Sequence, residues 1–211
     1  APISAKCVAQ MLKTAGADRL VVVDLHSSQI QGFFDGPFDH LFAIPTLART
    51  WREKYGYGDE FVVVSPDAGG VERARAFAKR LGCSIAIVDK RRTGPNVAKA
   101  INLIGEVKGK TAIVLDDMID TAGTLCQSVD SLLKNGAKRV FAVATHPVLS
   151  GPAIHRLEES NLEKVFITDT IPMKAEGLAC SKLEVISVAP LVAEAIKRIN
   201  SKDSVSALFE I

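Results

Sequence analysis

The sequence predicts an α/β protein built on parallel strands. Short runs rich in β-branched residues recur, and each is followed by a polar or glycine-rich turn and then by a stretch with helical spacing. The predicted strands are residues 20–23, 61–64, 84–88, 111–115, 140–144, 164–168 and 183–187. Between them, apolar residues lie three or four positions apart, as in Val71, Ala74, Ala78 and Leu81. Each such helix can cover one face of a sheet.

Length and composition are those of an ordinary globular protein. The chain has 211 residues, 47% of them hydrophobic, which is enough to bury one large core or two small ones. Its formal net charge is +2, and it contains no long basic run. The electrostatic pattern of a general nucleic-acid binder is therefore missing, whereas small anions remain plausible ligands.

Apolar runs and cysteine spacing bear on the cellular compartment of the protein. No apolar run approaches the roughly 20 residues that cross a bilayer, and no charged segment followed by an apolar one opens the chain. The cysteines are scattered and form no CxxC pair, so neither a zinc site nor a disulfide framework is indicated. We therefore expect a reduced, cytoplasmic protein without a membrane partner.

A segment near the start of the chain resembles one in its second half. When residues 12–26 are aligned with residues 132–146, identical residues coincide at Leu12 and Leu132, Gly16 and Gly136, Ala17 and Ala137, Arg19 and Arg139, Val23 and Val143, and His26 and His146. Two copies of one α/β unit would explain the match. The alternative is that a helix, a Gly-Ala turn and a strand recur in any fold of this class.

If the duplication is real, the chain contains two domains. The sequence lacks an initiator Met, and a helical pattern through Val8, Met11 and Leu12 follows within its first residues. We therefore expect that the sequence begins inside a longer protein and that its first copy is incomplete. We predict a first domain of residues 1–40, to which residues 189–211 return, and a second domain of residues 41–188. No stretch rich in Pro, Gly or Ser separates them.

The strongest functional signal is the segment 111–124. An apolar strand is followed by Asp116 and Asp117 and then by a turn of small residues, Asp120-Thr-Ala-Gly-Thr124, that leads into a helix. The N–H groups and hydroxyls of such a turn can surround one phosphate, helped by the positive end of the helix dipole, while the two acids accept hydrogen bonds from ribose hydroxyls. The alternative is a simple helix cap after a solvated strand end.

A second turn, Ser65-Pro-Asp-Ala-Gly-Gly70, also follows a predicted strand. Its glycines let the backbone approach a ligand closely, and Asp67 lies where a hard cation or a ribose hydroxyl could meet it. Because the carboxyl ends of parallel strands share one edge of a sheet, this turn and the segment 111–124 are expected at the same ligand-binding edge. Taken alone, a turn of this kind is as often structural as it is ligand-binding.

Basic residues follow the predicted strand 84–88. Lys90, Arg91 and Arg92 precede Thr93-Gly-Pro-Asn96, which we interpret as a mobile loop that can close and bring these cations to a phosphate. The alternative is a solvated surface triplet.

His26 follows the first predicted strand, in the segment Asp24-Leu-His-Ser-Ser-Gln-Ile-Gln-Gly-Phe-Phe-Asp35. A lone histidine at such a place is more often structural than functional.

Together these segments resemble the ribose-phosphate pyrophosphokinases, also called phosphoribosyl pyrophosphate synthetases, along essentially the whole chain. The residues 114–124 alone are similar to the wider phosphoribosyltransferase type, whereas the segment after Asp24 combined with Lys90-Arg-Arg92 is specific to the synthetases. The resemblance implies two phosphoribosyltransferase-like parallel-sheet domains, the first incomplete.

The resemblance also implies residue roles. His26 would help to bind ATP and, with Asp67, to hold Mg²⁺, and Lys90 and Arg92 would be catalytic residues of a flexible loop. Contacts with ribose 5-phosphate are implied for Arg92, Asp116, Asp117, Asp120, Thr121, Ala122, Gly123 and Thr124. The implied reaction moves the pyrophosphoryl group of Mg-ATP to the 1-hydroxyl of ribose 5-phosphate.

Family members commonly form dimer-based hexamers, so the resemblance implies a homo-oligomer. They hold ATP partly through an N-terminal segment with an Arg-Gln pair, and nothing in this chain matches that segment. We therefore expect this chain alone to bind sugar phosphate and to be inactive without the missing residues. One alternative is a non-catalytic regulator associated with the synthetase, which would be expected to have an altered catalytic loop or altered metal residues. The other is a phosphoribosyltransferase-type binding protein, which does not explain the segment Asp24–Asp35.

Overall fold

A computed structural model of the protein describes residues 3–91 and 100–209, with the backbone alone described at residues 90, 91, 100, 101 and 209. By contacts the chain divides into two compact units. Unit 1 contains Ala1–Ala43 and Ala189–Ile211, and unit 2 contains Ile44–Val188. That each unit is a domain of the phosphoribosyltransferase type stays a prediction.

Helices and strands alternate along most of the chain. The α-helices are α1 (Ser4–Thr14), α2 (Ile44–Tyr55), α3 (Val71–Leu81), α4 (Gly123–Lys134), α5 (Ala153–Glu159), α6 (Ala175–Ala179) and α7 (Ala189–Ser201). The strands are β1 (Leu20–Val23), β2 (Phe38–Leu41), β3 (Phe61–Ser65), β4 (Ser84–Arg91), β5 (Ala100–Ile104), β6 (Thr111–Ile119), β7 (Arg139–Pro147), β8 (Val165–Thr168) and β9 (Leu183–Ile186). Short 3-10 helices span Ser28–Phe33 and Ser206–Phe209.

In unit 1, β1 and β2 form a parallel pair, with Leu20 opposite Phe38 and Val23 opposite Leu41. A small apolar cluster forms around the buried residues Leu41, Ala195 and Val205, with partly buried side chains of β1 and α7 packed against them. The C-terminal helix therefore packs against the two strands from the start of the chain.

Unit 2 is built on one sheet of seven strands in the order β5-β4-β3-β6-β7-β8-β9. Every neighbouring pair is parallel except β4 and β5. Successive side chains of a strand point to opposite faces, so Val62 and Val64 pack with α4 and α5, while Phe61 packs with Trp51 of α2. Helices on both faces explain why β3 is buried throughout. The α/β prediction with a mainly parallel sheet is confirmed.

Several predicted strand limits were wrong. The strands β2 and β5 were not predicted, and β4 and β6 extend beyond their apolar runs, to Arg91 and Ile119. In β6, pairing with β7 continues through Asp116 opposite Ala144 to Ile119 opposite Pro147. In β4, antiparallel pairing with β5 places Lys90 opposite Ile101. Backbone hydrogen bonds to a neighbour thus extend a strand past its apolar residues, which hydrophobic patterning cannot show.

The helix ends that the sequence comparison aligned have the same local geometry. After α1, Gly16 has a φ of +98° and the Ala17 N–H bonds to the Leu12 carbonyl at 3.0 Å. After α4, Gly136 has a φ of +88°, and the Ala137 N–H bonds to the Leu132 carbonyl at 3.0 Å. Glycine fits because a left-handed residue ends each helix. This ending is common in proteins, so the duplication stays a prediction.

The thiols of Cys7, Cys83, Cys126 and Cys180 are all free. Burial raises the pKa of Cys83 to about 11, and burial likewise raises the pKa of Cys126. A raised pKa lowers the thiolate fraction at neutral pH, so these two thiols are poor nucleophiles.

Candidate functional site

The predicted phosphate-binding turn joins β6 to α4 at the carboxyl end of the central strand. Ala122 has a φ of +57°, unusual for a residue other than glycine, and its carbonyl accepts a hydrogen bond from the Cys126 N–H at 3.0 Å. Helix α4 begins at Gly123, so the turn lies at the positive end of its dipole. A non-glycine residue in this conformation persists only where its surroundings enforce it, and such strain is common at ligand sites.

The turn borders a cavity of about 290 Å³. Its lining includes the predicted site residues Asp116, Asp120, Thr121, Ala122, Gly123 and Thr124, together with apolar side chains of β6 and β7. The structure therefore brings together six of the residues assigned to ribose 5-phosphate from sequence. Asp117 is not in this lining, and its side chain is buried.

Neighbouring segments hold the turn in place. The Leu149 N–H bonds to the Ile119 carbonyl at 2.9 Å, and the Ser150 N–H bonds to the Asp120 carbonyl at 3.1 Å. The Ser150 hydroxyl donates to the Asp120 carboxylate. From α5, Nη1 of Arg156 donates to the Thr121 carbonyl at 2.9 Å. The segment after β7 thus fixes the backbone of the turn from outside.

The two acids of β6 have different surroundings. Asp117 is buried, and Asp116 is partly exposed and accepts a hydrogen bond on Oδ1 from the Asp117 N–H at 2.9 Å. Nη1 of Arg73, on α3, lies 4.0 Å from Asp116 Oδ1 and 3.8 Å from Asp117 Oδ1. Burial, followed by the side chain of Asp117, raises the pKa of Asp116 to about 7. Asp116 can thus donate or accept a proton near neutral pH.

Asp67 follows β3, at the same carboxyl edge of the sheet. Its Oδ1 accepts a hydrogen bond from the Gly70 N–H at 2.9 Å, and its carbonyl accepts one from the Ser65 hydroxyl at 2.7 Å. A Cβ on Gly70 would lie 2.8 Å from Ser65 Oγ, so a larger residue there would have to displace this hydroxyl. Asp67 therefore has a structural role at the start of α3, and its exposed position is compatible with metal binding.

His26 lies in unit 1, in the exposed segment after β1. Asp24, at the start of this segment, has a φ of +43° and is buried. Its Oδ2 accepts from the Ala43 N–H at 3.1 Å, and the Leu25 N–H donates to Nε2 of His40 at 2.9 Å. These bonds fix the chain immediately before His26. Its predicted roles toward ATP and Mg²⁺ stay predictions.

The two predicted catalytic cations are described incompletely. The backbone of Lys90 lies near the end of β4, and its side chain is not described, so its catalytic role stays a prediction. Arg92 and the predicted loop residues 93–96 lie outside the described residues.

Sequence reasoning missed Arg73, Ser150 and Arg156. Each is distant in sequence from the residue that it contacts. Among the described residues, no group of three or more His, Cys, Asp or Glu side chains could hold a metal ion.

Among the helices in residues 3–91 and 100–209, none has the length and apolar character that crossing a membrane requires.

Comparisons with known proteins identify a family, similar sequences and a similar fold. The family model described as "Phosphoribosyl synthetase-associated domain" matches residues 91–210. A curated ribose-phosphate pyrophosphokinase of Burkholderia pseudomallei is 55% identical over 207 residues, covering 98% of this chain and 64% of the relative. One from Fusobacterium nucleatum is 54% identical over 208 residues, covering 99% of this chain and 66% of the relative.

A solved structure is similar over nearly the whole chain. The crystal structure of phosphoribosylpyrophosphate synthetase from Mycobacterium smegmatis has a TM-score of 0.89 and 46% sequence identity, and it covers 96% of this chain. The match covers 65% of that protein. This chain thus spans less than two thirds of the length of the relatives from Burkholderia and Mycobacterium.

Proposed function

Since this chain belongs to the family of the phosphoribosyl synthetase-associated domain and the ribose-phosphate pyrophosphokinases, we propose that it works in the synthesis of 5-phosphoribosyl 1-pyrophosphate. The reaction moves the pyrophosphoryl group of Mg-ATP to ribose 5-phosphate and releases AMP. The observation that carries this proposal is the cavity at the end of β6, where an acidic side chain and a phosphate-binding type of turn lie together.

The cavity suits a pentose phosphate. The N–H groups at the start of α4 and the hydroxyls of Thr121 and Thr124 can donate to the 5-phosphate. Asp116, which lines the same cavity, can exchange hydrogen bonds with a ribose hydroxyl. A role of Asp117 toward the ribose stays a proposal, since its side chain is buried next to Arg73.

In the proposed reaction the anomeric O1 of the sugar attacks the β-phosphorus of ATP. The new O1–Pβ bond forms as the bond from Pβ to the oxygen bridging the α-phosphorus breaks, and AMP leaves with that oxygen. The hydroxyl proton passes to solvent or to a nearby base. Negative charge spreads over the oxygens of the transferred group, which Lys90 and Arg92 are proposed to stabilise. Positioning of the two substrates supplies much of the acceleration, so no protein nucleophile is required.

The candidate metal-ligand atoms of this chain fit a Mg²⁺ ion that is bound mainly through the phosphates of ATP. Mg²⁺ prefers oxygen ligands and commonly uses one or two carboxylates plus substrate phosphates, so a complete protein cage is not needed. Asp67, an exposed carboxylate at the ligand-binding edge, is suited to this role. His26 is proposed as a second contact on the strength of the family resemblance. Bound there, Mg²⁺ would neutralise charge on the phosphate oxygens.

We further propose a cytoplasmic homo-oligomer, which by the resemblance is a dimer-based hexamer in the full-length enzyme, with ATP and ribose 5-phosphate as its small-molecule partners. Neither nucleic acid nor a membrane is proposed as a partner. Light scattering of a full-length protein that contains this chain would measure its oligomeric state.

The deciding experiment measures AMP formation from Mg-ATP with and without ribose 5-phosphate. It uses this chain and a longer chain that contains it, each also with Lys90→Ala, and Lys197→Ala as a control at a lysine side chain that is 77% exposed on α7. We expect sugar-dependent AMP release by the longer chain, lost only in Lys90→Ala. Binding of ribose 5-phosphate without AMP release by either chain would instead support the non-catalytic regulator.

A further inference from the structure

We propose that Arg156 is a positioning residue of the phosphate site, and that its charge next to the turn 120–124 helps to balance a phosphomonoester dianion bound there. The inference rests on the proposed function, since it assigns the turn to the phosphate of a pentose phosphate. It adds a residue from α5, outside every segment that the sequence identified as functional.

The first argument is the contact between Arg156 and the turn. Nη1 donates to the Thr121 carbonyl at 2.9 Å. This carbonyl belongs to the peptide group whose N–H is that of Ala122, so holding one end of the group orients the other. With Ala122 at a φ of +57°, the contact helps to keep the following N–H groups in an anion-binding arrangement.

The second argument is the close approach of the guanidinium to Gly123. A Cβ at this position would lie 3.2 Å from Nη1 and 3.8 Å from Cζ of Arg156. The φ of Gly123 is not positive, so the backbone itself does not require glycine. Instead, the glycine leaves room for the guanidinium beside the first residue of α4.

The third argument is electrostatic. The described lining of the cavity includes the carboxylates Asp116 and Asp120 but no Lys or Arg side chain. A phosphate dianion next to two acids would be repelled unless a cation compensates. The guanidinium of Arg156, at the edge of the turn, is suited to this role. Arg156 lies outside the described lining, so it acts through the Thr121 peptide group and through its nearby charge, without a contact with the phosphate.

A purely structural role for Arg156, tying α5 to the turn, predicts a different result. Loss of such a tie would lower stability, and phosphate affinity would change no more than ribose affinity. The positioning role instead predicts a loss confined to ligands that carry the phosphate. It also predicts partial rescue by lysine, which restores the charge but not the planar donor geometry.

The experiment measures binding by titration calorimetry with ribose 5-phosphate, inorganic phosphate and ribose as probes. Arg156→Ala and Arg156→Lys are compared with the wild-type chain and with His155→Ala, which removes only the exposed His155–Glu159 pair of the same helix. We expect Arg156→Ala to weaken ribose 5-phosphate binding about 10- to 100-fold, the range for a lost charge-assisted hydrogen bond. Binding of inorganic phosphate should weaken in parallel. The affinity of Arg156→Lys should lie between those of the wild-type chain and Arg156→Ala.

Two other outcomes separate the hypotheses. Unchanged ribose 5-phosphate affinity in a folded Arg156→Ala variant would overturn the role of Arg156 and leave the proposed function standing. Failure of the wild-type chain to bind either phosphate probe would overturn the assignment of the turn, and the inference with it. Thermal melts of every variant establish that the compared proteins are folded.

A second variant keeps the inference testable if Arg156→Ala does not fold. Gly123→Ala places a methyl group against the guanidinium, so it should displace Arg156 and weaken phosphate binding. In an Arg156→Lys background, where the bulky planar group is absent, the same methyl group should weaken binding much less. An equal effect in both backgrounds would show that the methyl group acts on the ligand itself and would overturn the inference.

Discussion

Nη1 of Arg73 lies 3.8 Å from Oδ1 of the buried Asp117, and the contact joins helix α3 to the acid pair of β6. The side chain of Asp117 is only 3% exposed, so its charge is largely removed from water. An ion pair that involves such a buried carboxylate is costly to break from one side, because the remaining charge loses part of its compensation.

We therefore predict that Arg73→Ala lowers the free energy of unfolding by about 1–3 kcal/mol. The matched control is Arg75→Ala, at an exposed position on the same helix, for which we expect a change within about 0.5 kcal/mol. Urea unfolding measures both. In an Asp117→Asn background the effect of Arg73→Ala should shrink, and an undiminished effect there would contradict the ion-pair explanation.

The raised pKa of Asp116 predicts a pH-dependent stability. Its pKa is about 7 in the folded protein against an ordinary value of 3.8, so between these values the folded state holds a proton that the unfolded state has lost. Stability contributed by this proton is present below pH 3.8 and is lost as the pH rises to about 7. Above that value, further change in pH has little effect through this group.

Asp116→Asn removes this dependence and provides the measurement. The stability of the wild-type chain relative to this variant should fall as the pH rises from 4.5 to 7 and then level off, roughly following the two pKa values. Asp130→Asn, at an exposed position on α4, serves as the control. A constant difference between wild type and Asp116→Asn over the whole range would refute the assignment.

Trp51 anchors the aromatic cluster on one face of the unit 2 sheet. Its ring packs edge-on against Phe61, Phe141 and Phe166 and is 1% exposed. We predict that Trp51→Ala lowers the free energy of unfolding by about 3–5 kcal/mol, because it leaves a large cavity. The indole N–H is buried without a hydrogen-bond partner among the described residues, so replacing the ring by phenyl removes an unpaired donor.

Trp51→Phe should consequently cost less than about half of the loss in Trp51→Ala. Chemical denaturation of both variants under the same conditions gives the comparison. Equal destabilisation of the two variants would contradict this prediction. The packing of the ring edge, and not the volume of the ring, would then determine the loss in the free energy of unfolding.

The turn that holds Asp67 depends on a glycine for steric reasons. A methyl group on Gly70 would lie 2.8 Å from Ser65 Oγ and would displace the hydroxyl that bonds to the Asp67 carbonyl. We predict that Gly70→Ala costs about 1–3 kcal/mol of stability. The Gly69→Ala control should cost less, because its Cβ would meet nothing closer than Asp67 Oδ1 at 3.4 Å.

The double variant Ser65→Ala with Gly70→Ala tests the cause. Removal of the hydroxyl relieves the clash, so part of the lost stability should return in thermal melts. If the loss in the double variant were equal to or greater than the sum of the two single losses, the clash with Ser65 Oγ would not explain the effect of Gly70→Ala.

The sequence alone determined the fold class and the chemistry of the main site. Regular alternation of apolar runs and helical stretches predicts a parallel α/β sheet, because each residue pattern reflects which faces are buried. The turn from Asp120 to Thr124 was also predictable, because strand, turn and helix N-terminus are consecutive in the chain. Local spacing is sufficient for features of this kind.

Only the tertiary structure decided features that join distant residues. Pairing with β7 carries β6 through Asp116 to Ile119, so both acids belong to a strand, where Asp117 is buried and Asp116 is partly exposed. Burial then sets the raised pKa of Asp116. The contact of Arg156 with Thr121 spans 35 positions of the chain. Such contacts depend on how elements pack, and hydrophobic periodicity records which residues are buried but not which of them meet.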